Sequence, residues 1–303
     1  MENKSDHISV CICTYKRPKL LENLLNKLEN QQTNGLFIYS VVVVDNDYNQ
    51  TARDTVESLK KSSRIAIDYH IEPEQNIALA RNKAVDNAHG NFIAFIDDDE
   101  FPEPTWLVNL YKTLLSFKAD GVLGPVRPHY PDHVPDWLIK SNLCERPEHE
   151  TGAVLHWTQT RTGNVLLNKA MFADSGNRFG REFGRTGGED IEFFKKMMGM
   201  GKVFIWCSTA PVFETVTPER CEKSFYLNKY LRIGGLTGEK HRTKLSGGFW
   251  YAAKIAMALF TYLFILPFSF IFGQHVFFRT LMKVVYFYGC IAGFSGYVPM
   301  RFR

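Results

Sequence analysis

Short apolar runs alternate with amphipathic segments over most of the chain. Residues 10–13 and 41–44 are runs of this kind, and the segment after the first carries Leu21, Leu24 and Leu28 at helical spacing. Strand-like runs that alternate with helical segments are typical of βαβ units in a parallel sheet. The pattern predicts strands at 8–13, 40–44, 65–71, 91–96, 121–126, 163–167 and 202–207, and helices at 19–31, 51–61, 77–88, 104–117 and 189–199.

Three consecutive aspartates, residues 97–99, end the apolar run 92–96. An isolated acidic triplet is more often a solvated turn. Here the polar pairs 14–15 and 45–46 also follow predicted strands, and ligands bind outside the carboxyl ends of strands in open α/β sheets. Carboxylates this close repel one another, and Mg²⁺ or Mn²⁺ relieves the repulsion because hard cations prefer carboxylate oxygen. We therefore predict one ligand site at this edge of the sheet.

A second acidic pair, Glu189 and Asp190, follows Gly187 and Gly188 and opens the predicted helix 189–199. An acid at a helix start is also an ordinary N-terminal residue that interacts favourably with the helix dipole. The two glycines permit a close approach of the backbone to a ligand. Together with the triple aspartate, the pair predicts one acidic site for metal and another for proton removal.

Composition narrows the classes of protein. The formal net charge is +4 without a Lys/Arg run, which argues against nucleic-acid binding. The nine histidines show no zinc spacing, and neither a Gly-x-Gly-x-x-Gly motif nor a P-loop is present, so zinc hydrolases and dinucleotide oxidoreductases are excluded. The six cysteines form no Cys-x-x-Cys pair and are interpreted as free thiols in a reducing compartment. The polar start 1–7 predicts no secretory signal and a cytosolic location for the bulk of the chain.

The C-terminal part differs in composition. Residues 255–272 are almost wholly apolar, about the minimum length for a membrane span. Residues 276–294 carry Arg279 and Lys283 among large apolar side chains, which suits a helix in the membrane interface. A buried helical hairpin is the alternative, and whether the segment spans the bilayer stays open. We predict a catalytic domain at 1–240, a membrane-associated helical region at 241–303, and a long surface loop at 128–152.

An ordered set of motifs carries a family resemblance. The motifs are Thr-Tyr-Lys-Arg-Pro at 14–18, Val-Val-Asp-Asn at 43–46, Asn-Ile-Ala-Leu-Ala-Arg-Asn at 76–82, Ile-Asp-Asp-Asp-Glu at 96–100 and Gly-Glu-Asp at 188–190. Over residues 8–235 the chain resembles the inverting family 2 glycosyltransferases with the GT-A fold. The stretches 102–107, 124–126 and 161–164 look most like bacterial exopolysaccharide enzymes of the succinoglycan glucosyltransferase kind. The resemblance implies an α/β fold, with a mixed, nucleotide-sugar-binding sheet flanked by helices.

The resemblance also implies roles for individual residues. The donor would contact Thr14, Tyr15, Arg17, Asp45, Asn76, Arg81, Asp97 and Asp98. Asp99 would hold Mn²⁺ or Mg²⁺, and Asp190 would be the general base. The acceptor or another part of the substrate would contact Glu189, Asn164, Gly188 and Arg232.

Two departures from the family pattern matter. The Gln-x-x-Arg-Trp motif of processive synthases is absent; the stretch 228–235 contains Arg232 instead, which favours a single sugar addition. Many relatives place a histidine metal ligand after the last strand, whereas this chain has Glu214. That carboxylate could bind a hard ion or pair with Arg220.

These observations predict a metal-dependent transfer of one hexose. The donor would be a nucleotide-diphosphate sugar, in the first place a UDP-sugar, and the acceptor a lipid-diphosphate-linked oligosaccharide at the cytoplasmic face of the inner membrane. One rival is a sugar-phosphate nucleotidyltransferase, which should carry a glycine-rich phosphate loop where this chain has residues 15–18. Another is a non-catalytic, membrane-bound nucleotide-sugar-binding subunit of a synthase complex.

Overall fold

The computed structural model describes residues 5–184, 187–242 and 248–297. The chain forms two compact units. The first unit comprises Met1–His129 and Arg146–Thr215, and the second comprises Tyr130–Glu145 and Val216–Arg303.

Ten strands and nine α-helices lie in the described part of the chain. The strands are β1 (Asp6–Thr14), β2 (Phe37–Asp45), β3 (Ile67–Ile71), β4 (Phe92–Phe95), β5 (Glu100–Pro102), β6 (Gly121–Leu123), β7 (Val126–His129), β8 (Val165–Asn168), β9 (Phe204–Trp206) and β10 (Val212–Thr215). The helices are α1 (Pro18–Leu28), α2 (Arg53–Lys60), α3 (Ile77–Asn87), α4 (Trp106–Phe117), α5 (Asp136–Ser141), α6 (Glu189–Gly199), α7 (Lys223–Arg242), α8 (Gly248–Ser269) and α9 (Gln274–Phe294).

The first unit is built on a seven-stranded sheet in the order β3-β2-β1-β4-β8-β6-β9. Strand β8 is antiparallel to both of its neighbours, and the other pairs are parallel. The predicted mixed α/β sheet with flanking helices is therefore confirmed. A second sheet, β5-β10-β7, has three short strands. In the β1–β2 pair Thr14 lies opposite Asp45, so both strands end at the same edge.

Helices cover both faces of the large sheet. One face packs on α1, α2 and α4, and the other packs on α3 and α6. Successive side chains of a strand point to opposite faces, so Val10 enters the first of these cores and Cys11 the second. A strand buried on both faces reads as a continuous apolar run. This is why 10–13 and 41–44 lack polar alternation.

The predicted strand 121–126 is wrong as a single element. The chain leaves the large sheet after β6 and enters the small sheet with β7. Between them, a Cβ on Gly124 would overlap the carbonyl oxygen of Ala210, and Pro125 has no N–H to donate to a ladder. The predicted helix 104–117 begins later, at Trp106.

The predicted loop 128–152 is also partly structured. It contains the end of β7 and the helix α5, whose Trp137 and Leu138 are buried in a cluster with Tyr226 of α7 and Phe278 of α9. The sequence pattern did not predict α7, because few of its residues follow an apolar stripe. All six cysteines are free thiols, as expected.

Within the second unit, α7 and α9 pack through glycines. A Cβ on Gly234 would overlap the carbonyl oxygen of Tyr286, and one on Gly293 would overlap that of Gly235. Gly238 and Gly289 make the same kind of backbone contact. Small residues spaced four apart allow such close helix packing, which is frequent in membranes. The predicted boundary at 240/241 stays a prediction, and it falls inside α7, two residues before that helix ends.

Helix α8 and the turn that follows it expose large apolar side chains, among them Phe260, Phe264 and Ile271. The segments Trp250–Phe272 and Gln274–Phe294 are long and apolar enough to cross a membrane, judged by length and composition. A large exposed apolar surface indicates a membrane or protein contact. The second unit therefore carries the structural features of membrane association.

Candidate active site

The carboxyl ends of β1 and β4 bring an acidic cluster and a cation together. The Thr14 hydroxyl donates to Asp98 Oδ2 at 2.8 Å. Arg17, at the N-terminus of α1, donates from Nη1 to Asp98 Oδ1 at 3.0 Å and to Asp99 Oδ2 at 3.1 Å. The predicted convergence at this edge is therefore seen as direct contacts.

The cluster carries excess negative charge. Burial, followed by the charge of Asp97, raises the pKa of Asp99 to about 6, although Arg17 opposes the shift. Burial also raises the pKa of Asp98. Burial also raises the pKa of Glu100 well above its usual value, and the negative charge of Asp97 raises it further. These carboxyl groups are poised to gain from a further cation.

The small sheet adds a carboxylate to this cluster. In the antiparallel pair of β5 and β10, Glu214 lies directly opposite Glu100, so the two side chains share one face. Arg146 Nη2 donates to Glu214 Oε2 at 2.9 Å. Glu100 Oε2 accepts from the Asp97 N–H at 3.2 Å, whereas Glu100 Oε1 is buried and has no hydrogen-bond partner among the described residues.

The residues present fit a hard divalent cation. Buried carboxylate oxygens with raised pKa values and an unpaired Glu100 oxygen are the donor chemistry that Mg²⁺ and Mn²⁺ prefer. In the described ranges, no three His, Cys, Asp or Glu residues converge as a ready-made metal site. Asp99 and Glu214 remain the candidates for the ion's protein ligands.

The glycine pair before α6 sets the position of Glu189 and Asp190. Gly187 and Gly188 have φ values of +84° and +98°, which disfavour any side chain. Asp190 is half-buried, and its Oδ1 accepts from the N–H of Ile191 at 2.8 Å. A reactant can therefore approach this carboxylate without unfolding the helix start.

Glu189 lies in a different environment. It is buried and forms an ion pair with Arg81 Nη1, and burial raises its pKa even though Arg81 opposes the shift. Arg81 Nη2 also lies 3.7 Å from Asp97 Oδ1. The Arg81–Glu189 pair links α3 to α6 and so fixes the helix on which Asp190 stands.

Two predicted donor-binding residues are engaged in hydrogen bonds inside the protein. Asp45 is fully buried, and its Oδ2 accepts from the Tyr69 hydroxyl at 2.8 Å and from the Ala52 N–H at 2.9 Å. Asn76 caps α3 by accepting from the N–H groups of residues 78 and 79, and it donates to the Arg181 carbonyl. Their proposed substrate contacts stay predictions.

Asn164 connects three segments. Its amide donates to the carbonyls of Pro125 and Ala210, each at 2.8 Å, and its Oδ1 accepts from Trp106 Nε1 at 2.7 Å. Its φ of +58° is in the left-handed region, which Asn tolerates. The side chain is fully buried and both amide hydrogens are used, so in this structure Asn164 holds the adjoining loop in place.

The remaining predicted residues divide between the units. Tyr15 is partly exposed beside the cluster, with Lys16 Nζ 5.0 Å from its ring centroid. Arg232 lies on α7 in the second unit, and burial lowers its pKa. Both assignments stay predictions.

Comparison with known proteins decides the family. The sequence model described as "Glycosyl transferase family 2" matches residues 9–183, more than half of the chain. The chain belongs to this family. It is 35% identical to the succinoglycan biosynthesis protein ExoM of Rhizobium meliloti over 250 residues, which cover 82% of this chain and 79% of ExoM. The predicted family and enzyme class are thereby confirmed.

Solved structures show the same fold. The mannosyltransferase PcManGT from Pyrobaculum calidifontis, in complex with GDP-Man and Mn²⁺, superposes with a TM-score of 0.64 and covers 96% of this chain and 88% of its own. S. aureus TarS 1–349 in complex with UDP-GlcNAc gives 0.54, with 96% and 92% covered. Both are 16% identical to this chain, so the likeness concerns the fold alone.

The structure adds to this glycosyltransferase site three residues that sequence reasoning did not assign: Glu100, Arg146 and Arg161. Glu100 was hidden by the stronger signal of the preceding aspartates. Arg146 lies in a segment that was predicted to be loop, and Arg161 precedes β8 without any periodic pattern. The position of Arg161 beside the family-like Thr-Gly-Asn stretch 162–164 was the one available signal.

Proposed function

We propose that the chain is an inverting, metal-dependent glycosyltransferase that moves a single hexose from a UDP-sugar to a lipid-diphosphate-linked oligosaccharide. The observation that carries the proposal is the pairing of two acidic sites in one unit, the Asp98–Asp99 cluster under Arg17 and the accessible Asp190. The similarity to a succinoglycan biosynthesis protein and the nucleotide sugars bound by the structural neighbours support the choice of substrates.

The reaction assigns a role to each acidic site. Asp190 accepts the proton of the acceptor hydroxyl, whose oxygen attacks the anomeric carbon of the donor while the bond to the diphosphate oxygen breaks. A bound Mn²⁺ or Mg²⁺ would offset the charge of the departing diphosphate. Thr14 and Arg17 hold the Asp98 carboxylate in its present orientation. The absence of Gln-x-x-Arg-Trp from the sequence favours one addition per acceptor.

Transfer assays test the proposal directly. Full-length protein is incubated with labelled UDP-glucose, UDP-galactose, UDP-GlcNAc or GDP-mannose and a lipid-linked saccharide extract. We expect one sugar to be added to the lipid-linked fraction from a UDP-sugar, with inverted anomeric configuration by NMR. A retained configuration, or nucleotide release without transfer, contradicts the proposal.

Donor binding should require a divalent ion. We expect nucleoside diphosphate affinity to fall at least roughly 10-fold when Mn²⁺ is replaced by EDTA, because the ion would offset the repulsion between the acidic cluster and the diphosphate. Asp99→Asn should lose most of this metal dependence, whereas Asp54→Asn, at an exposed acid of α2, should keep it. Calorimetry with UDP and GDP measures both. Equal nucleotide affinities with and without metal in the wild type would contradict the proposal that a divalent ion takes part in donor binding.

We further propose that the second unit holds the enzyme at the cytoplasmic face of the inner membrane, where a lipid-linked acceptor is accessible. The support is the exposed apolar surface of α8, where Phe260 and Phe264 are 73% and 67% exposed. We expect the full-length protein to float with vesicles of phosphatidylethanolamine and phosphatidylglycerol. Phe260→Asp/Phe264→Asp should weaken flotation strongly, because aspartate near the bilayer centre costs roughly 3 kcal/mol per residue.

The matched control changes apolar residues that are exposed on the first unit. Ile38→Asp/Leu115→Asp adds the same charge at side chains that are 58% and 49% exposed. It should leave flotation unchanged. Wild-type protein that stays at the bottom of the gradient, or equal losses in both double variants, would contradict the proposed location.

A further inference from the structure

Arg161 is a half-buried cation that has no direct partner among the described residues. Burial, followed by the charge of Arg146, lowers the pKa of its guanidinium to about 10. Within 5–184, 187–242 and 248–297, the Arg161 side chain makes no hydrogen bond and no ion pair closer than 4.0 Å. Removing a guanidinium from water without giving it a partner is costly. An anionic ligand would supply the missing hydrogen bonds.

The backbone beside Arg161 is held rigidly. Thr162 and Asn164 are buried, and Asn164 is tied to three other segments through its side chain. A Cβ on Gly163 would lie 2.7 Å from Glu100 Oε1 and 3.1 Å from Asp97 Oδ2, so this loop touches the acidic cluster directly. The loop therefore presents Arg161 from a fixed point, which is the arrangement that a preorganised binding group needs.

The charges around Arg161 locate it within the site. The carboxylates that act on it are Glu100, Glu214 and Asp190. Glu214 is the candidate metal ligand and Asp190 the proposed base. Arg161 therefore interacts electrostatically with a residue of the candidate metal site and with the proposed base. The other arginines of the site have carboxylate partners: Arg17 binds Asp98 and Asp99, Arg81 binds Glu189, and Arg146 binds Glu214.

We propose that Arg161 binds the distal phosphate of the donor's nucleoside diphosphate and stabilises that phosphate as it leaves. The proposal rests on the proposed function. When the acceptor oxygen bonds to the anomeric carbon and its proton passes to Asp190, the electron pair of the broken bond stays on the oxygen of the distal phosphate. A guanidinium can donate two parallel hydrogen bonds to such a phosphate, which suits the developing charge.

The contact between Arg161 and the distal phosphate can be tested with pairs of nucleotides that differ only in that phosphate. Full-length wild type, Arg161→Met and Arg161→Lys are titrated with UDP and UMP, or with GDP and GMP if the wild type prefers guanosine, in the presence of Mn²⁺. We expect Arg161→Met to weaken diphosphate binding roughly 10-fold or more, as for a lost hydrogen bond to a charged group. Monophosphate affinity should stay within a factor of about two, and Arg161→Lys should be intermediate because it keeps the charge without the two-pronged geometry.

Rates and a control variant complete the test. The kcat of transfer should fall roughly 10²-fold in Arg161→Met, as for the loss of one preorganised donor to developing charge. Arg64→Met removes the same charge from an exposed position before β3 and should change neither affinity nor rate. Thermal unfolding of each variant confirms the fold.

Several outcomes would overturn the assignment. Unchanged UDP affinity with a raised acceptor KM would place Arg161 on the acceptor, and equal losses for UDP and UMP would make its role structural. Unchanged affinity and rate in Arg161→Met would leave the residue without a role in the site. Failure of the wild type to bind any of the nucleotides would instead count against the proposed function itself.

Discussion

Replacing Asp190 with asparagine should reduce sugar transfer by roughly 10²- to 10⁴-fold, the usual contribution of a general base. The substitution keeps the Oδ1 atom that accepts from the Ile191 N–H, so the start of α6 should stay intact. Asparagine cannot take a proton from the acceptor hydroxyl. Nucleoside diphosphate affinity should remain nearly unchanged, so the loss should fall on kcat.

Two neighbouring variants sharpen this experiment. Glu192→Gln alters an exposed acid in the same first turn of α6 and should leave transfer unchanged. Glu189→Gln should lower stability as well as rate, because Glu189 is buried in its pair with Arg81. Transfer within a few-fold of wild type in Asp190→Asn, together with its loss in a folded Glu189→Gln protein, would show that the base is the other carboxylate.

Most strands and helices of the first unit could be predicted from the spacing of apolar residues in the sequence. Strands β1, β2 and β4 are buried on both faces, and such strands leave a strong signal of continuous apolar residues. Strands β5 and β10 left none, because a three- or four-residue strand is too short to show a period. The division between β6 and β7 depends on the packing of Gly124 against the backbone of Ala210. This is a tertiary contact between residues far apart in sequence, so the local pattern could not predict it.

The candidate site was predictable where a motif and a strand end coincided. Asp97 to Asp99 were found in this way, and the contact of Thr14 with Asp98 shows why the strand-end rule works. Asp190 was found instead from the glycine pair that precedes a predicted helix start. The strand-end rule did not predict which groups a given side chain would hydrogen-bond. Asn76 and Asn164 serve backbone groups far from them in sequence, and no local pattern reports such partners. Arg161 escaped notice because its relevance comes from charges brought in by β5, β10 and α6.

The ion pair between Arg81 and Glu189 should have a large effect on stability. Arg81→Met leaves Glu189 buried without its counter-charge, which should lower the free energy of unfolding by roughly 3 to 5 kcal/mol. The double variant Arg81→Met/Glu189→Met removes both charges and should recover most of this loss, since well-packed apolar residues often replace a buried ion pair at little cost. Urea unfolding of the full-length protein in detergent, followed by tryptophan fluorescence, measures the three free energies.

The pH dependence separates this explanation from a simple packing defect. Burial raises the pKa of Glu189 even with Arg81 present, and the loss of Arg81 removes the interaction that opposes this rise. The destabilisation of Arg81→Met should therefore be fully present near about pH 8 and shrink toward about pH 5, where the folded state takes up the proton more readily than the unfolded state. The double variant has no such group and should show no pH-dependent recovery. A loss in Arg81→Met that is constant across this range, or a double variant as unstable as the single one, would mean that Arg81 acts through its packing rather than as the counter-ion of Glu189.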